Sequence, residues 1–477
     1  MSITTALSSA LSGLTATSRA AEIVSSNVAN AMTPGYARRE LDLAARRLGD
    51  LGHGVAVVGV TRQGDPALLS ERRAAEAQSG GRDVARAFFS RLEKAIGTGD
   101  APGALTTLVS TLDAALLGAA SRPESQARLS AVLDAAKGLA GGINALSRDI
   151  QAARTEADAA VAADVARLND ALAKVQAMNV QIRALASTGR DAAALMDQRQ
   201  QLVDGIAALV PLREVDRGNG QIALFTTGGA GLLDGRAATV GFAAAGLVTE
   251  DMTLAGGGLS GLSLDGQAVP PGFLGGGRIA ANLALRDDLA PRAQAQADAL
   301  ARDLVDRFAD PALDPAIAPG GTGLFTAAPA PDDTGLARRL AVDPRADPAQ
   351  GGALWRLRDG LGALAPGPAG DGARLTAMQG ALTAVRTPAS DAITVAARSF
   401  GGMAADLASG VAGRRLGADA DAAFAAARAG TLRALEAEAG IDTDREMQDL
   451  LLIERAYAAN ARVVQTVDDM IQTLLGL

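Results

Sequence analysis

The sequence predicts a mainly α-helical protein of several domains, with a small inserted β domain and paired coiled-coil helices at the N- and C-termini. Apolar residues recur at helical spacing over long stretches of the 477-residue chain. Between residues 211 and 280, glycines separate short apolar alternations, which is typical of strands and turns. At about 150 residues per domain, this length predicts about two to four domains. We therefore expect an elongated multidomain molecule.

The composition is that of a globular protein with an aliphatic core. Apolar residues make up 48% of the chain and aromatic residues only 3%, so aliphatic and alanine side chains must provide most of the packing. The net charge of −8 has the wrong sign for binding a phosphate backbone, so we expect no nucleic-acid partner. The chain has no cysteine, which excludes disulfides and thiolate metal sites.

The opening of the sequence does not resemble a cleavable secretory signal. The first basic residue is Arg19, and Ser and Thr interrupt the apolar residues of MSITTALSSALSGLT. No apolar run approaches the roughly 18 residues that span a bilayer. We therefore expect neither a general secretory leader nor membrane insertion.

The first segment has an apolar stripe with alternating spacings of three and four residues, which predicts a helix that starts near Ser2. The stripe consists of Ile3, Leu7, Ala10, Leu14, Thr17, Ala21, Val24 and Val28. The helix should stop in NVANAMTPGY, because Pro34 lacks an N–H and Pro34-Gly35 suits the centre of a type II turn. The predicted turn motif comprises Asn30, Pro34, Gly35 and Tyr36.

The last segment has the same spacing and predicts a second helix, with Thr443 and Glu446 as a capping box at its start. Its seam consists of Leu450, Ile453, Tyr457, Asn460, Val464, Val467, Ile471 and Leu474. Asn460 has two interpretations. A polar residue in a seam can determine the register of the pair, or it can simply face water. Together, the two stripes predict an assembly seam.

Between the ends, helix-rich and strand-rich stretches alternate. GVAVVGVTRQ predicts a strand, and residues 66–78 predict a helix, followed by a further helical run through RDVARAFFSRLEKAIG. Residues 123–187 predict one long helix, which ends before Gly189. Residues 310–370 predict loops with little secondary structure, and helices should dominate from 375 to 439.

These patterns predict three domains. Their expected bounds are 1–37 with 441–477 for the terminal helices, 38–210 with 281–440 for the helix-rich domain, and 211–280 for the inserted β-rich domain.

Both ends also resemble a known family. SSNVANAMTPGYARRE resembles the NNIANANTPGY signature of the flagellar axial family of rod, hook and hook-associated proteins, although Met32 stands where Asn or Asp is usual. ERAYAANARVVQTVDDMIQTLLGL resembles the C-terminal signature of the same family. The middle blocks LMDQRQQLVDGIAALVPLREVDRGNGQIALF, LGGGRIAANLALRDDLAPRAQAQADALARDLVDRF and GGTGLF resemble the hook-associated members, which are laid on the completed hook.

The resemblance implies a structural protein that joins the hook to the filament of the bacterial flagellum and self-assembles through its terminal helices. It also implies export by the flagellar type III apparatus to the cell exterior. The implied partners are copies of the chain in a ring or tube, the hook protein, a second junction protein on the filament side and an export chaperone. The alternative is a flagellar hook or distal-rod protein, which should have a β-dominated middle.

No pattern of residues predicts catalysis. The single histidine, His53, lies between glycines and is expected in a loop. GTGDAPG, residues 97–103, lacks the Lys-Ser or Lys-Thr of a phosphate-binding loop. The adjacent carboxylates at 287–288 and 468–469 lack EF-hand spacing and are expected on solvated helix faces. We expect no enzyme activity, no cofactor and no metal site.

Two other function classes stay open as alternatives. A secreted coiled-coil effector that acts on membranes would need a long apolar or basic amphipathic helix, which is not evident. An enzyme in the inserted domain would need a convergent polar pocket in residues 211–280, where glycines and aliphatic residues prevail.

Overall fold

The computed structural model describes residues 3–48, 51–99, 101–317, 320–329, 332–394 and 396–475. It confirms a mainly α-helical fold with small β-sheets and long helices at both ends. The predicted helix start near Ser2 and the last two residues of the chain lie outside the described residues. None of the described helices combines the length and apolar character needed to cross a bilayer.

The elements follow one another in two helical blocks that enclose a run of short strands. The first block contains α1 (Ile3–Asn30), β1 (Arg39–Leu48), β2 (Leu51–Arg62), α2 (Pro66–Ile96), α3 (Leu105–Ser121), α4 (Gln126–Ser187) and α5 (Ala193–Ala207). The strands are β3 (Leu212–Gly218), β4 (Gln221–Thr226), β5 (Gly231–Asp234), β6 (Arg236–Ala237), β7 (Val240–Gly241), β8 (Ser263–Leu264) and β9 (Gln267–Ala268). The second block contains α6 (Gly277–Ala284), α7 (Ala290–Phe308), β10 (Phe325–Ala327), α8 (Leu336–Arg339), β11 (Leu340–Val342), α9 (Arg356–Asp359), α10 (Ala373–Thr383), α11 (Phe400–Glu438) and α12 (Thr443–Leu475).

α2 is one continuous helix, so the prediction of two separate helical runs was wrong. Gly80 and Gly81 lie inside it. A Cβ at Gly81 would lie 3.2 Å from the carbonyl oxygen of Gly277, so the missing side chain allows α2 to pack closely on α6. Tertiary packing here outweighs the low helix propensity of glycine.

β1 and β2 form an antiparallel hairpin, of which the sequence predicted only the second strand. Half of the ten residues of β1 are charged, which hid the alternation of Leu41, Leu43 and Ala45 that could have revealed it. β2 is longer than predicted and includes His53, which therefore lies in a strand and not in a loop.

The largest apolar core belongs to the helical body, which we define as residues 88–157 and 285–411. Its fully buried members include Leu112, Leu139, Ile143, Leu300, Phe325, Leu357 and Phe400. The stretch 310–370 has only short elements, as predicted, yet Phe325 and Leu357 show that it closes this core.

The strands between Leu212 and Ala268 confirm a small β region between helices. Four strands have the order β3-β4-β5-β6 and three have the order β7-β8-β9, all antiparallel. Asn179 on α4 donates to the carbonyl of Ile222 at 2.8 Å, and Asn169 donates to that of Val240 at 2.8 Å. These bonds hold the sheets against the second half of α4, while the exact domain bounds stay a prediction.

Buried ions separate the two apolar cores that share α4. Arg286 is fully buried in a π-helical segment, Leu285–Leu289, and donates to Asp158 at 2.7 Å. Arg154 donates its Nε to the carbonyl of Arg286 at 2.9 Å. Asp287, expected on a solvated face, also accepts from Arg286 at 2.7 Å. Arg286 is paired with two carboxylates, and Arg154 also donates to the carbonyls of Thr249 and Met252, so this polar layer joins the helical body to the β region.

Candidate functional site

The helices at the two chain ends pack against each other in antiparallel orientation, which confirms the predicted pairing. Asn27 in the last turn of α1 meets Glu446 in the first turn of α12, and Gly13 lies against Asn460. The hairpin of β1 and β2 packs along α1 as well. We call α1, the hairpin and α12 the terminal unit.

The predicted seam residues differ in burial. Val24 and Val467 are buried, whereas Tyr457 and Leu474 are exposed. The half-buried members are Ile3, Leu7, Leu14, Val28, Leu450, Ile453, Asn460, Val464 and Ile471. Ala16 is buried although it lies off the predicted stripe. Two helices and a hairpin are too few to cover a stripe on all sides, so most of the seam is only partly removed from water.

α12 carries a second apolar stripe that the chain leaves exposed. The stripe consists of Leu452, Val463, Met470 and Leu474. Steps of eleven, seven and four residues separate them, and each step returns to nearly the same side of a helix. Their exposed fractions are 60% for Leu452, 43% for Val463, 43% for Met470 and 61% for Leu474. We call these four residues the outer stripe. Leu474 thus belongs to it and not to the contact with α1.

Asn460 lies against α1 rather than facing away from it. A Cβ at Gly13 would lie 2.7 Å from its Nδ2, and the same Nδ2 donates to the carbonyl of Ala456 at 3.0 Å. This close contact with a glycine agrees with the interpretation that Asn460 contributes to the register of the pair.

The turn after α1 has the predicted shape. Gly35 has a φ of +78°, which a glycine adopts without strain, and the N–H of Tyr36 donates to the carbonyl of Thr33 at 3.2 Å. Asn30 donates from its side chain to the carbonyl of Ser26 at 2.9 Å, which helps to end the helix.

The turn also contacts the helical segment α5. Gln201 donates its Nε2 to the carbonyl of Pro34 at 2.6 Å. A Cβ at Gly35 would lie 2.7 Å from Cγ of Gln201, so a larger residue there would also displace this side chain.

Sequence reasoning missed the buried polar centre of the unit, Asn27 and Glu446, both of which are 0% exposed. The Nδ2 of Asn27 donates to Glu446 at 3.0 Å and to the carbonyl of Arg39 at 2.9 Å. Its Oδ1 accepts from the backbone N–H of Arg39 and from the hydroxyl of Tyr36, each at 3.0 Å. Glu446 also accepts from Nε of Arg38 at 2.6 Å. One amide and one carboxylate thus join α1, the turn, β1 and α12.

The predicted capping box was wrong. Asp442 caps α12, because its Oδ1 accepts from the N–H of Asp444 at 3.0 Å and from that of Arg445 at 3.2 Å. Thr443 lies one residue too late to be the cap. Glu446 was predicted to bond back to the helix start, but its carboxylate lies in the buried centre instead. The signal that could have revealed this is a polar residue on the apolar side of each helix.

Arginine–carboxylate pairs attach the terminal unit to the rest of the chain. Asp197 on α5 accepts from Arg39 at 2.9 Å and from Arg62 at 2.6 Å. Beside these pairs lies a cavity of about 250 Å³, whose lining includes Arg62, Arg73 and Arg199. Burial lowers the pKa of Arg199, and the nearby charge of Arg62 acts in the same direction.

No catalytic constellation accompanies this arrangement in the part of the chain that is described. The Nδ1 of His53 lies 3.4 Å from the Oγ of Ser8. No cluster of three or more His, Asp or Glu side chains suitable for a metal ion occurs among the described residues. What the terminal unit offers is a packed helix pair, a polar centre and an exposed apolar stripe.

Three family models match the chain, one near each end and one over residues 89–311. The model described as Flagellar hook-associated protein FlgK helical domain matches residues 89–311. Flagella basal body rod protein matches 7–36, and Flagellar basal body rod FlgEFG protein C-terminal matches 435–477. Flagellar hook-associated protein 1 of Escherichia coli K12 is 26% identical over 239 residues. These matches support the flagellar hook-associated protein 1 family for this chain.

Other relatives carry the same description. Flagellar hook-associated protein 1 of Salmonella typhimurium LT2 is 27% identical over 236 residues, which is 48% of this chain and 42% of that protein. The Escherichia coli match covers 49% of this chain and 43% of its relative. The chain therefore aligns with less than half the length of these curated relatives. The flagellar hook junction protein FlgK of Burkholderia pseudomallei is 20% identical, with a TM-score of 0.46 over 54% of this chain and 47% of that one.

The positions of the three matched segments follow the division of the molecule. The two rod-type models fall on α1 with its turn and on α12, and the helical-domain model falls largely on α3 to α7. The rod-type models thus match the two terminal helices and the turn, and the hook-associated model matches the first part of the helical body together with the β region.

Proposed function

We propose that this chain is a structural component of the bacterial flagellum that joins the hook to the filament and assembles through α1 and α12. The observation that carries the proposal is the outer stripe of α12, which remains exposed although α1 already covers the neighbouring seam. Contiguous exposed apolar surface on a soluble chain marks a site of association. Similarity to flagellar hook-associated protein 1 supports the location at the hook.

The terminal unit is suited to assembly because the seam and the outer stripe make different contacts. The seam and the buried Asn27–Glu446 pair hold α1 and α12 together within one copy. The outer stripe faces away and is free to contact other copies. A ring or tube of copies would remove this stripe from water. About 25 cal/mol is gained for each Å² of apolar surface buried, so repeated contacts add up along an assembly.

The finer parts of the proposal follow from the family resemblance. The partners are further copies of the chain, the hook protein on one side and a second junction protein on the filament side. The flagellar type III apparatus exports the chain, and its final location is outside the cell. Before assembly a dedicated chaperone covers α12, because an exposed apolar helix is an association hazard in the cytoplasm.

A hook or distal-rod protein is the second candidate, since two of the matching family models describe rod proteins. The long helices of the helical body and the match of residues 89–311 favour the junction role. Localisation separates the two roles. An antibody against the chain should label only the hook–filament boundary, whereas label along the hook or below it would favour the alternative.

The main test uses a chain that ends after Ala439, in a strain that lacks its own copy of the gene. We expect bare hooks by electron microscopy and loss of filament protein to the medium. The medium should also be assayed for the truncated chain, so that a failure of export is recognised. A matched control is the full chain with Leu364→Ser, a 99% exposed leucine of the helical body. Normal filaments with the truncated chain would contradict the proposal.

A further inference from the structure

The cavity beside the arginine–carboxylate pairs lies where the terminal unit joins the rest of the chain. Its volume is about 250 Å³, and its lining includes parts of both chain connections of the unit, residues 63–65 after β2 and residues 439–440 before α12. Arg62 of the hairpin, Arg73 of α2 and Arg199 of α5 line it as well. We call it the junction cavity. Cationic side chains from the terminal unit and from two further helices thus meet around one space.

Arg199 is a buried cation without a carboxylate partner. It is only 8% exposed, and its guanidinium forms no ion pair with any other described residue. Its Nη1 donates to Oδ1 of Asn179 at 2.8 Å and to the carbonyl of Gly220, both of which are neutral acceptors. Burial lowers the pKa of Arg199, and the charges of Glu214 and Asp216 do not offset this effect. Because a guanidinium stays protonated in proteins, a buried one without a counter-charge is costly.

Arg73 supplies a second donor that has no acceptor. This arginine is 3% exposed, and it donates its Nε to Asp204 at 2.6 Å and its Nη1 to Glu214 at 2.7 Å. Its Nη2 is buried and has no hydrogen-bond partner among the described residues. Such a group in a folded protein calls for a water or an ion that satisfies it. The charge of Glu214 also acts on Arg199, so the two arginines are neighbours.

The carboxylates that line the junction cavity already have partners. Glu214 is bonded to α2 as described above, and Glu436 forms an ion pair with Arg72. Asp65 accepts from two N–H groups in the first turn of α2. The other arginines of the lining are paired with carboxylates as well, which leaves Arg199 as the exception in the described lining. The charge that lacks a partner is therefore positive.

We propose that the junction cavity binds a small oxyanion of the phosphate or sulfate class, held by the guanidinium of Arg199 and by Nη2 of Arg73. The planar N–H donors of a guanidinium match two oxygens of such an anion at once. The cavity is many times larger than the space that one water needs, so an anion fits together with water. An anion bound here also lies next to both connections of the terminal unit and holds that unit on α2 and α5.

Equilibrium dialysis with radiolabelled inorganic phosphate tests the site directly on the purified full chain. The experiment is run at pH 7 with sodium chloride that keeps the ionic strength constant. We expect saturable binding of one phosphate per chain. Arg199→Gln should weaken this binding by about tenfold or more, because hydrogen bonds to a charged group are lost. The matched control is Arg183→Gln on α4, an exposed arginine without an ion pair among the described residues, which should leave binding unchanged.

Hydrogen exchange of the unchanged chain provides a test that needs no variant. Phosphate should slow exchange in the two connections, residues 63–65 and 439–442, relative to chloride at equal ionic strength. Exchange in α3, residues 105–121 of the helical body, should stay the same. This pattern distinguishes binding in the junction cavity from the general stabilisation that excluded anions give to any folded protein.

Three results would overturn the inference. The first is the absence of saturable phosphate binding, which would mean that water alone satisfies the two arginines. The second is equal binding by Arg199→Gln and by Arg183→Gln, which would place the anion elsewhere. The third is displacement of phosphate by an equal concentration of acetate, which would assign the cavity to a carboxylate group. None of these results bears on assembly through the outer stripe, since the site lies outside α12.

Discussion

The helical body and the terminal unit are both held together by helix packing, but they bury different surfaces. The helical body surrounds many aliphatic side chains that are completely removed from water, such as Leu112, Leu139 and Ile143. The terminal unit fully buries an amide and a carboxylate, Asn27 and Glu446, while most of its seam is only half-buried. One region is closed by its own residues, and the other is left open on one side.

This difference teaches where stability and function reside. A closed apolar core stabilises a domain without help, because the gain from burial is complete within one chain. A half-covered stripe gains the remainder only when another molecule covers it. The polar centre adds geometry rather than much net stability, since a buried pair costs desolvation but fixes which residues must meet. The helical body is thus closed within one chain, whereas the assembly proposed above would complete the burial of the ends.

The largest expected effect comes from a substitution in the core of the helical body. Leu139→Ala removes a fully buried side chain from the main core and should lower the free energy of unfolding by about 2–5 kcal/mol. Chemical denaturation of the purified chain measures it. Leu364→Ala, at an exposed position, is the control and should change stability by less than about 0.5 kcal/mol. Equal effects at both positions would mean that the core is not closed as described.

The next largest effect comes from a substitution in the polar centre of the terminal unit. Glu446→Ala leaves Asn27 and Arg38 without their shared acceptor and should cost about 1–3 kcal/mol, confined to the pairing of α1 with α12. Hydrogen exchange should become faster in both terminal helices and stay unchanged in α4. Glu446→Gln should recover part of the protection, and the exposed Glu454→Ala should have no effect. Unchanged exchange in α1 would contradict the role given to Glu446.

A smaller effect distinguishes the observed cap from the predicted one. Asp442→Ala removes the acceptor of two N–H groups at the start of α12 and should destabilise that helix by about 1 kcal/mol. Thr443→Ala should be close to neutral. Hydrogen exchange of the first turn of α12 measures the effect of each substitution. A larger effect of Thr443→Ala than of Asp442→Ala would support the predicted capping box instead.

The smallest effect concerns the close contact between the terminal helices. Gly413 on α11 has open space around its Cβ position, so Gly413→Ala should stabilise the chain by about 0.5–1 kcal/mol through helix propensity alone. Gly13→Ala should lose this gain, because the new Cβ meets the amide of Asn460. Thermal unfolding compares the two variants. Adding Asn460→Ala to Gly13→Ala should recover the gain, and equal stabilisation by both single substitutions would show that the helices are not in close contact there.

Sequence reasoning was most successful where a single helix carries a regular apolar period. The three-and-four spacing was enough to place α1 and α12, and Pro34-Gly35 was enough to place the turn between α1 and the hairpin. It could not reveal which side of α12 faces α1, because Leu474 and Val467 are equally apolar and differ only in the neighbour they meet. It also missed the polar centre, since Asn27 and Glu446 are about 420 residues apart and only the fold brings them together. β1 was missed because its charged residues conceal a short alternation.

The central claim is that the outer stripe of α12 serves contacts between copies and not the stability of one copy. The direct measurement replaces Leu452, Met470 and Leu474 by serine in one chain. Unfolding of the purified variant is then compared with its ability to restore filaments in a strain that lacks the gene. The account predicts normal unfolding and normal export, with bare hooks and filament protein in the medium. Normal filaments, or a chain that no longer folds, would contradict it.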